Sequence, residues 1–297
     1  MKVIAPSTFV KTALLAVTLI VAACAATTGS DDQQVASAKL NRILDSRSDD
    51  FKARDSSRHP KETIEFFGIT PGMKIAEVLP GGGWYSHILA PYVASESAGS
   101  EGAFYGINYA DDMWPMFGFF KPDVIAKRIE AHKAFGDKVA AYPGAEKLPA
   151  AGYAFGGIPK SINGTLDAVI MIRALHNLNR FEAKAGTRTA ALKAINALLK
   201  TGGIVAVVQH RAPADADEQW ANGSNGYLKQ AAVVAMFEQA GFELVDSSEI
   251  NANPKDQPVV GDSVWRLPPS LRTAPENKAA NMAIGESDRM TLKFIKK

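Results

Sequence analysis

Four polar side chains follow two apolar segments in the second half of the chain. His176 and Asn177 come after one apolar run, and His210 and Arg211 come after the next. Continuous apolar runs are typical of buried parallel strands, and parallel strands bring the residues after them to one edge of a sheet. An imidazole at such an edge could act as a general base. Either histidine alone could equally be a hydrogen-bonded structural residue, and the sequence leaves both interpretations open.

A glycine-rich turn lies between an apolar strand and a helix in the first third of the chain. The segment reads Lys74-Ile-Ala-Glu-Val-Leu-Pro-Gly-Gly-Gly-Trp84. Because glycine has no Cβ, such a loop can turn tightly and approach a ligand closely. Glu77 lies near the end of the strand, where its carboxylate can accept hydrogen bonds from loop amides or a ligand hydroxyl. A plain tight turn would also account for the glycines.

The order of elements that would position these residues is an alternation of strands and helices. Predicted strands cover 74–79, 103–108, 138–142, 166–173, 204–209, 242–246 and 291–295. Predicted helices cover 61–67, 85–93, 124–135, 182–200 and 227–239. The segments 144–164 and 251–289 are rich in glycine or proline and are interpreted as loops. This alternation predicts an α/β fold with a doubly wound, mostly parallel sheet.

The first 23 residues are typical of an export signal. Lys2 and Lys11 precede an apolar run over 13–23, which is too short to span a bilayer. The run ends at Val21-Ala-Ala-Cys24, which resembles a bacterial lipobox with Cys24 as the lipidated residue. A simple secretory signal, with Cys24 incidental, is the alternative.

The domain prediction follows from this leader. Residues 1–23 are a lipoprotein-type signal peptide, 24–50 a lipidated tether, and 51–297 one domain. The mature protein would be periplasmic and held to a membrane only through its N-terminal lipid anchor. Ala25, rather than an aspartate, follows the cysteine and favours the outer membrane.

Composition excludes several classes of protein. The net charge is +2, and removing the two leader lysines leaves the chain neutral, with no basic run for nucleic acid. The only cysteine is Cys24, which excludes a disulfide and a thiolate metal site. The five histidines lack metal-ligand spacing, so no metal is expected. The sequence contains no G-x-S-x-G elbow and no G-x-G-x-x-G, which argues against a hydrolase and a dinucleotide dehydrogenase.

Over roughly 52–297 the chain resembles the class I S-adenosylmethionine-dependent methyltransferases, in particular a bacterial group of predicted methyltransferases with an Arg-His-Pro segment. Four segments carry the resemblance: the glycine-rich stretch 80–92, the stretches 200–212 and 288–294, and Arg54-Asp-Ser-Ser-Arg58-His59-Pro60. The resemblance implies a Rossmann-like, seven-stranded sheet whose last strand is antiparallel beside strand five.

The resemblance also implies a binding site for S-adenosylmethionine. The residues it assigns to the cofactor are Glu77, Pro80, Gly81, Gly82, Gly83, Trp84, Tyr85, Asn108, Tyr109, Glu146 and Arg173. The family pattern is altered at Leu79, where glycine is usual, and at Asn108 and Gly144, where acidic residues are usual. Glu146 would stand in for the acid missing at Gly144. Trp84 and Tyr85 could instead simply pack between helix and sheet.

For the reacting end, the resemblance places His176, Asn177, His210 and Arg211 near the transferred methyl group. Arg58 and His59 would close over the substrate from the N-terminal segment. The expected function is therefore methyl transfer to a small-molecule acceptor. Because an exported protein would not normally meet this cytoplasmic cofactor, the alternative is a non-catalytic envelope protein that binds another ligand on the same fold. The acceptor and the oligomeric state are left open.

Overall fold

The computed structural model describes Met1, residues 31–95 and residues 101–297. The strands, in chain order, are β1 (Lys74–Val78), β2 (Ala103–Asn108), β3 (Ala150–Ala154), β4 (Leu166–Ile172), β5 (Leu199–Ala212), β6 (Leu228–Lys229), β7 (Phe242–Ser248) and β8 (Arg289–Lys296). The helices are α1 (31–46), α2 (Asp49–Lys52), α3 (Asp55–Arg58), α4 (Pro60–Phe67), α5 (Ser86–Val93), α6 (Pro122–Lys133), α7 (Phe135–Ala140), α8 (Leu175–Arg180), α9 (Glu182–Ala185), α10 (Thr187–Leu198), α11 (Gln230–Gln239) and α12 (Lys278–Ile284).

The main sheet has the predicted methyltransferase-like arrangement. Its order is β3-β2-β1-β4-β5-β8-β7, and β6 pairs with the end of β5 outside this path. The pairs within β3-β2-β1-β4-β5 are all parallel, whereas β8 lies antiparallel between β5 and β7. The α/β prediction, including the antiparallel last strand beside strand five, is confirmed.

Successive strand residues face opposite sides of the sheet and build a core on each side. In β1, Ile75 belongs to a core that includes residues of α4, α5 and α7, while Ala76 belongs to the core on the other side, which includes residues of α8, α10 and α11. Both side chains are fully buried. Covering both faces leaves the carboxyl edge of the parallel strands as the natural place for a ligand.

The prediction for strand three is wrong. Residues 138–142 fall largely within α7, and β3 lies at Ala150–Ala154, inside the predicted loop. The β3 sequence is rich in alanine and glycine because helix α6 approaches it closely. A Cβ on Gly152 would lie 1.7 Å from the His132 carbonyl oxygen. Such a strand lacks the branched apolar residues by which strands are usually recognised.

Part of the predicted tether packs on the domain. Residues 31–46 form α1, and Leu40 is fully buried in the core beside Ile64 and Phe67. The predicted lipidation site, Cys24, and the signal peptide lie outside the described residues. Within residues 31–95 and 101–297, no helix is both long and apolar enough to cross a membrane.

Candidate functional site

A cavity of about 510 Å³ opens at the carboxyl edge of the sheet, next to β1 and β2. Leu79, Pro80 and Gly81 of the glycine-rich loop line one side, and Asn108 and Tyr109 line another. Further lining residues come from outside the predicted set: Gly106, Trp114, Phe117, Phe119, Phe120, Arg128, Ala131, His132, Phe135, Lys138, Arg180, Trp265 and Arg272. The two sequence segments assigned to the cofactor therefore share one cavity.

The glycine-rich loop adopts left-handed backbone at three positions. Gly81 and Gly83 have φ values of +56° and +85°, and Leu79, where the family usually has glycine, has +56°. This conformation costs a residue with a Cβ about 1–2 kcal/mol. The Leu79 amide donates to the Ile107 carbonyl at 2.7 Å, which helps to hold the strained residue in place. Leu79 thus adopts the left-handed conformation in this turn despite its Cβ.

Glu77 lies buried beneath this loop, with 4% of its surface exposed. The Ser86 hydroxyl at the start of α5 donates to Glu77 Oε2 at 2.6 Å. Burial raises the pKa of Glu77 to about 7, although Ser86 and the charge of Lys138 act in the opposite direction. A nearby cationic ligand would favour the ionised carboxylate.

The end of β2 presents a polar and an aromatic side chain to the cavity. Asn108 Oδ1 accepts a hydrogen bond from the Tyr109 amide at 2.9 Å. The Tyr109 phenol is hydrogen-bonded to the side chain of Asn177, which also lines the cavity. The structure therefore brings Asn177, predicted at the reacting end, into contact with the cofactor segment.

An aromatic wall of the cavity lies outside the residues predicted from the sequence. It is formed by a 3₁₀-helical segment, Asp111–Phe117, and the residues just after it. Trp114 packs edge-to-face on Tyr109 with ring centroids 5.0 Å apart, and the Arg128 guanidinium lies 4.5 Å from the Phe120 ring centroid. The available signal was the high density of aromatic residues directly after strand two.

The two histidines at the ends of β4 and β5 do meet. The rings of His176 and His210 lie 5.4 Å apart, and both are buried. Gln209 Oε1 accepts from the His176 amide at 3.3 Å, and His210 Nδ1 lies 2.6 Å from the Ser287 hydroxyl. Burial lowers the pKa of His176 to about 4 and, together with His176, holds that of His210 well below its usual value. Both rings are therefore neutral at physiological pH.

Arg211 does not join the histidines. Its guanidinium pairs with Asp288, Nε to Oδ2 at 2.8 Å, and with Glu249, Nη2 to Oε2 at 2.6 Å. These hydrogen bonds raise its pKa further. The prediction failed because β5 continues to Ala212, so that His210 and Arg211 are neighbours in a strand and face opposite sides.

Glu146 is also placed away from the cavity. It lies four residues before β3, and its carboxylate accepts from the Gly144 amide at 3.1 Å. A Cβ on Gly144 would contact Pro91 in the second half of α5, which runs back from the glycine loop. These neighbours put Glu146 at the amino edge of the sheet. The assignment failed because the strand before it was misplaced.

The remaining predicted residues lie in the glycine-rich loop or contact the N-terminal segment. Gly82 is exposed in the loop. The Trp84 indole donates to the Phe51 carbonyl at 3.0 Å, and the Tyr85 hydroxyl donates to the Arg58 carbonyl at 3.3 Å. Trp84 and Tyr85 therefore contact the N-terminal segment, which neither interpretation from the sequence had specified.

Arg58 and Arg173 belong to a second group at the same edge, which we call the arginine cluster. It comprises Arg54, Arg58, Arg173, Arg289 and Glu286. Arg58 stacks on Trp84, with its guanidinium carbon 4.4 Å from the ring centroid. His59 follows Arg58 in the chain and is partly exposed.

No protein-family model matches the sequence, and no curated protein matches it significantly. Three solved structures are similar over most of the chain. A SAM-dependent methyltransferase from Aquifex aeolicus is 14% identical, with a TM-score of 0.47, covering 86% of this chain and 97% of that one. Geranyl diphosphate C-methyltransferase from Streptomyces coelicolor is 9% identical, with a TM-score of 0.47 and coverages of 82% and 80%. An arsenic(III) S-adenosylmethionine methyltransferase from Chlamydomonas reinhardtii is 12% identical, with a TM-score of 0.45 and coverages of 87% and 73%. Similarity at this level carries no argument about activity, and the fold assignment rests on the strand order.

Proposed function

We propose that the chain is an S-adenosylmethionine-dependent methyltransferase that acts on a small-molecule acceptor. The observation that carries the proposal is the cavity in which the glycine-rich loop after β1 and Asn108 after β2 form adjoining walls. The strand order supports it, because the order reverses between β1 and β4 and ligands of doubly wound sheets bind at such a point.

The residues present suit this cofactor. The cavity volume of about 510 Å³ lies within the range of about 300–1,000 Å³ typical of small-molecule sites. The aromatic wall suits an adenine ring, and the Asn108 amide suits a ribose hydroxyl. Glu77 suits the cationic methionine end, since its carboxylate is the buried acid beneath the loop.

When bound, S-adenosylmethionine supplies a methyl group on a sulfonium, and transfer depends on in-line alignment with the acceptor. The chain itself binds and orients the cofactor and the acceptor, and its aromatic wall excludes water. His176, with a pKa of about 4, is a weak base. The site therefore favours acceptors whose nucleophilic atom does not have to lose a proton before it attacks the methyl group.

Isothermal titration calorimetry of the purified chain with S-adenosylmethionine and S-adenosylhomocysteine tests this proposal, and we expect micromolar binding. Asn108→Ala should weaken binding about five- to tenfold, since one hydrogen bond contributes about 1 kcal/mol. Glu146→Gln, at the opposite edge, is the matched control and should bind like the wild type. Absence of binding at millimolar ligand would reject the proposal and leave the non-catalytic envelope binding protein as the alternative.

We also propose that the protein is exported and held at the periplasmic face of the outer membrane by a lipid on Cys24. The support is the leader sequence, with its apolar run and the Val21-Ala-Ala-Cys24 segment. Cys24→Ser should move the protein from the membrane fraction to the soluble fraction and abolish labelling by radioactive palmitate. Thr27→Ser is the control and should change neither. Unchanged membrane association of the cysteine variant would contradict the lipid anchor.

A further inference from the structure

The arginine cluster joins chain segments that are far apart in sequence. Arg54 Nη2 lies 2.5 Å from Glu286 Oε1, and Arg58 Nε lies 3.5 Å from the same oxygen. Arg289 Nη1 lies 3.1 Å from Glu286 Oε2. Arg173 directly follows β4, and burial, followed by repulsion from Arg289, lowers its pKa to about 10. The single carboxylate of Glu286 is thus shared among three guanidinium groups, and Arg173 adds a fourth positive charge nearby.

Much of the hydrogen-bonding capacity of the cluster is unused. Arg58 is 1% exposed, and within the described part of the chain its Nε, Nη1 and Nη2 are all buried without a hydrogen-bond partner. The Nε atoms of Arg173 and Arg289 are in the same condition among the described residues. Buried polar groups are nearly always satisfied, and leaving a charged one unpaired costs free energy. Arg58 Nε still lies within ion-pair distance of Glu286, so four of these donor atoms have neither a hydrogen bond nor an ion pair among the described residues, and they point to a missing acceptor.

The charge of the cluster gives the same indication. Four arginines and one glutamate leave an excess of three positive charges. Two acids adjoin cluster residues in sequence, and both are paired with other arginines: Asp288 with Arg211 and Asp55 with Arg47. Burial, followed by repulsion from Arg173, lowers the pKa of Arg58 to about 9. Burial also holds the pKa of the neighbouring His210 well below its usual value, so this ring stays neutral and leaves the excess unchanged.

The backbone has left-handed φ values at one cluster residue and directly after another. Arg173 has a φ of +57°, and His59, directly after Arg58, has a φ of +42°. Left-handed backbone is uncommon for residues other than glycine, and such strain is concentrated at functional sites. The Arg173 amide donates to the Val208 carbonyl at 2.7 Å, which fixes this arginine at the end of β4.

We propose that the arginine cluster binds a dianionic phosphate group, carried by the acceptor molecule. A phosphate offers several oxygen acceptors to guanidinium forks, and two negative charges offset most of the excess, which one carboxylate would not. Arg54 and Arg173 are partly exposed, so the phosphate can reach the cluster from solvent at these two side chains. The cluster lies at β4, β5 and β8, whereas the cavity adjoins β1 and β2. Assignment of the phosphate to the acceptor rests on the proposed function; the anion site itself does not.

The first test uses inorganic phosphate with the full purified chain at low ionic strength. We expect a Kd below about 1 mM and a rise in melting temperature of about 3 °C or more at ten times Kd. Chloride at equal ionic strength should give no such rise. A melting temperature that responds equally to both salts would overturn the anion site.

Two variants separate binding from a structural role. Arg58→Gln and Arg173→Gln should each weaken phosphate binding at least tenfold, while leaving the empty protein as stable as the wild type or more so, because repulsion is relieved. Arg188→Gln, which removes an arginine paired with Glu182 elsewhere, is the control and should keep wild-type phosphate affinity. If Arg58→Gln fails to fold, the phosphate affinity of Arg173→Gln alone tests the proposal. Wild-type phosphate affinity in the Arg173 variant would overturn the proposal.

A competition experiment identifies the source of the anion. S-adenosylhomocysteine has a carboxylate, whereas 5′-methylthioadenosine has the same nucleoside without it. If the acceptor supplies the anion, phosphate affinity stays unchanged in the presence of either compound. Displacement of phosphate by S-adenosylhomocysteine alone would show that the cofactor carboxylate is received here and would overturn the acceptor assignment. If the protein binds phosphate but neither S-adenosylhomocysteine nor 5′-methylthioadenosine, the anion site is retained and the proposed methyl transfer is rejected.

Discussion

Replacing Glu286 with glutamine should lower the free energy of unfolding by about 3–5 kcal/mol at neutral pH. Glu286 is 8% exposed and is the carboxylate shared by the arginine cluster. Its removal leaves buried guanidinium groups without a counter-charge, and this loss exceeds what any new contact of the neutral amide can restore. Urea unfolding at low ionic strength, followed by far-UV circular dichroism, measures the change.

The control for this prediction is Glu249→Gln. Glu249 also pairs with an arginine, Arg211, but its side chain is 67% exposed. Exposed ion pairs contribute little, so the control should change stability by about 1 kcal/mol or less. Phosphate should restore part of the stability of the Glu286 variant and leave the Glu249 variant unchanged. Equal stability losses in the two variants would contradict the special role assigned to Glu286.

Replacing Glu77 with glutamine should raise the free energy of unfolding at neutral pH but not at acidic pH. The folded-state pKa of about 7 exceeds the ordinary value of 4.5, so the folded protein binds more protons than the unfolded chain between these two values. Stability of the wild type therefore falls as pH rises from about 4.5 to 7, by about 3 kcal/mol in all. The glutamine variant lacks this penalty. Its advantage should be absent at pH 4.5 and complete above pH 7, as measured by urea unfolding at each pH.

The same variant should lose the pH dependence of cofactor binding. S-adenosylmethionine is cationic at its methionine end, and the ionised Glu77 attracts it. Wild-type affinity should weaken by up to about tenfold per pH unit below pH 7. The Glu77→Gln variant should bind weakly at every pH, whereas Glu146→Gln should follow the wild-type profile. A flat wild-type profile between pH 5.5 and 7 would contradict the placement of Glu77 at the cationic end. Higher stability with weaker binding would make Glu77 a residue kept for function at the expense of stability.

The central strands were predictable from sequence because they are continuous apolar runs, whereas the antiparallel last strand followed only from the resemblance. β4, over Leu166–Ile172, is buried through most of its length and was recognised within one residue. β3 was missed because close helix packing selects alanine and glycine there, and this error carried Glu146 to the wrong edge. Arg211 was predicted to follow β5, but the strand continues beyond its apolar residues to Ala212 and includes Arg211.

The two segments that the resemblance assigned to the cofactor line one cavity, because β1 and β2 are adjacent parallel strands that end at the same edge. The arginine cluster as a whole was not predictable in the same way. Arg54 and Glu286 are 232 residues apart in sequence, and no local pattern indicates that they form an ion pair. Only Arg58 and Arg173 were selected beforehand, each for a different role.

The packing of α1 on the domain limits how far the protein can extend from a membrane. Leu40 anchors this helix in the core, and the helix is already formed at Asp31. Seven residue steps separate Asp31 from Cys24, which can span at most about 25 Å when fully extended. If the lipid proposed on Cys24 is present, the domain is held within about its own radius of the bilayer. The mouth of the site would then sample the thin layer of solvent next to the lipid headgroups, and acceptors enriched in that layer would reach it first.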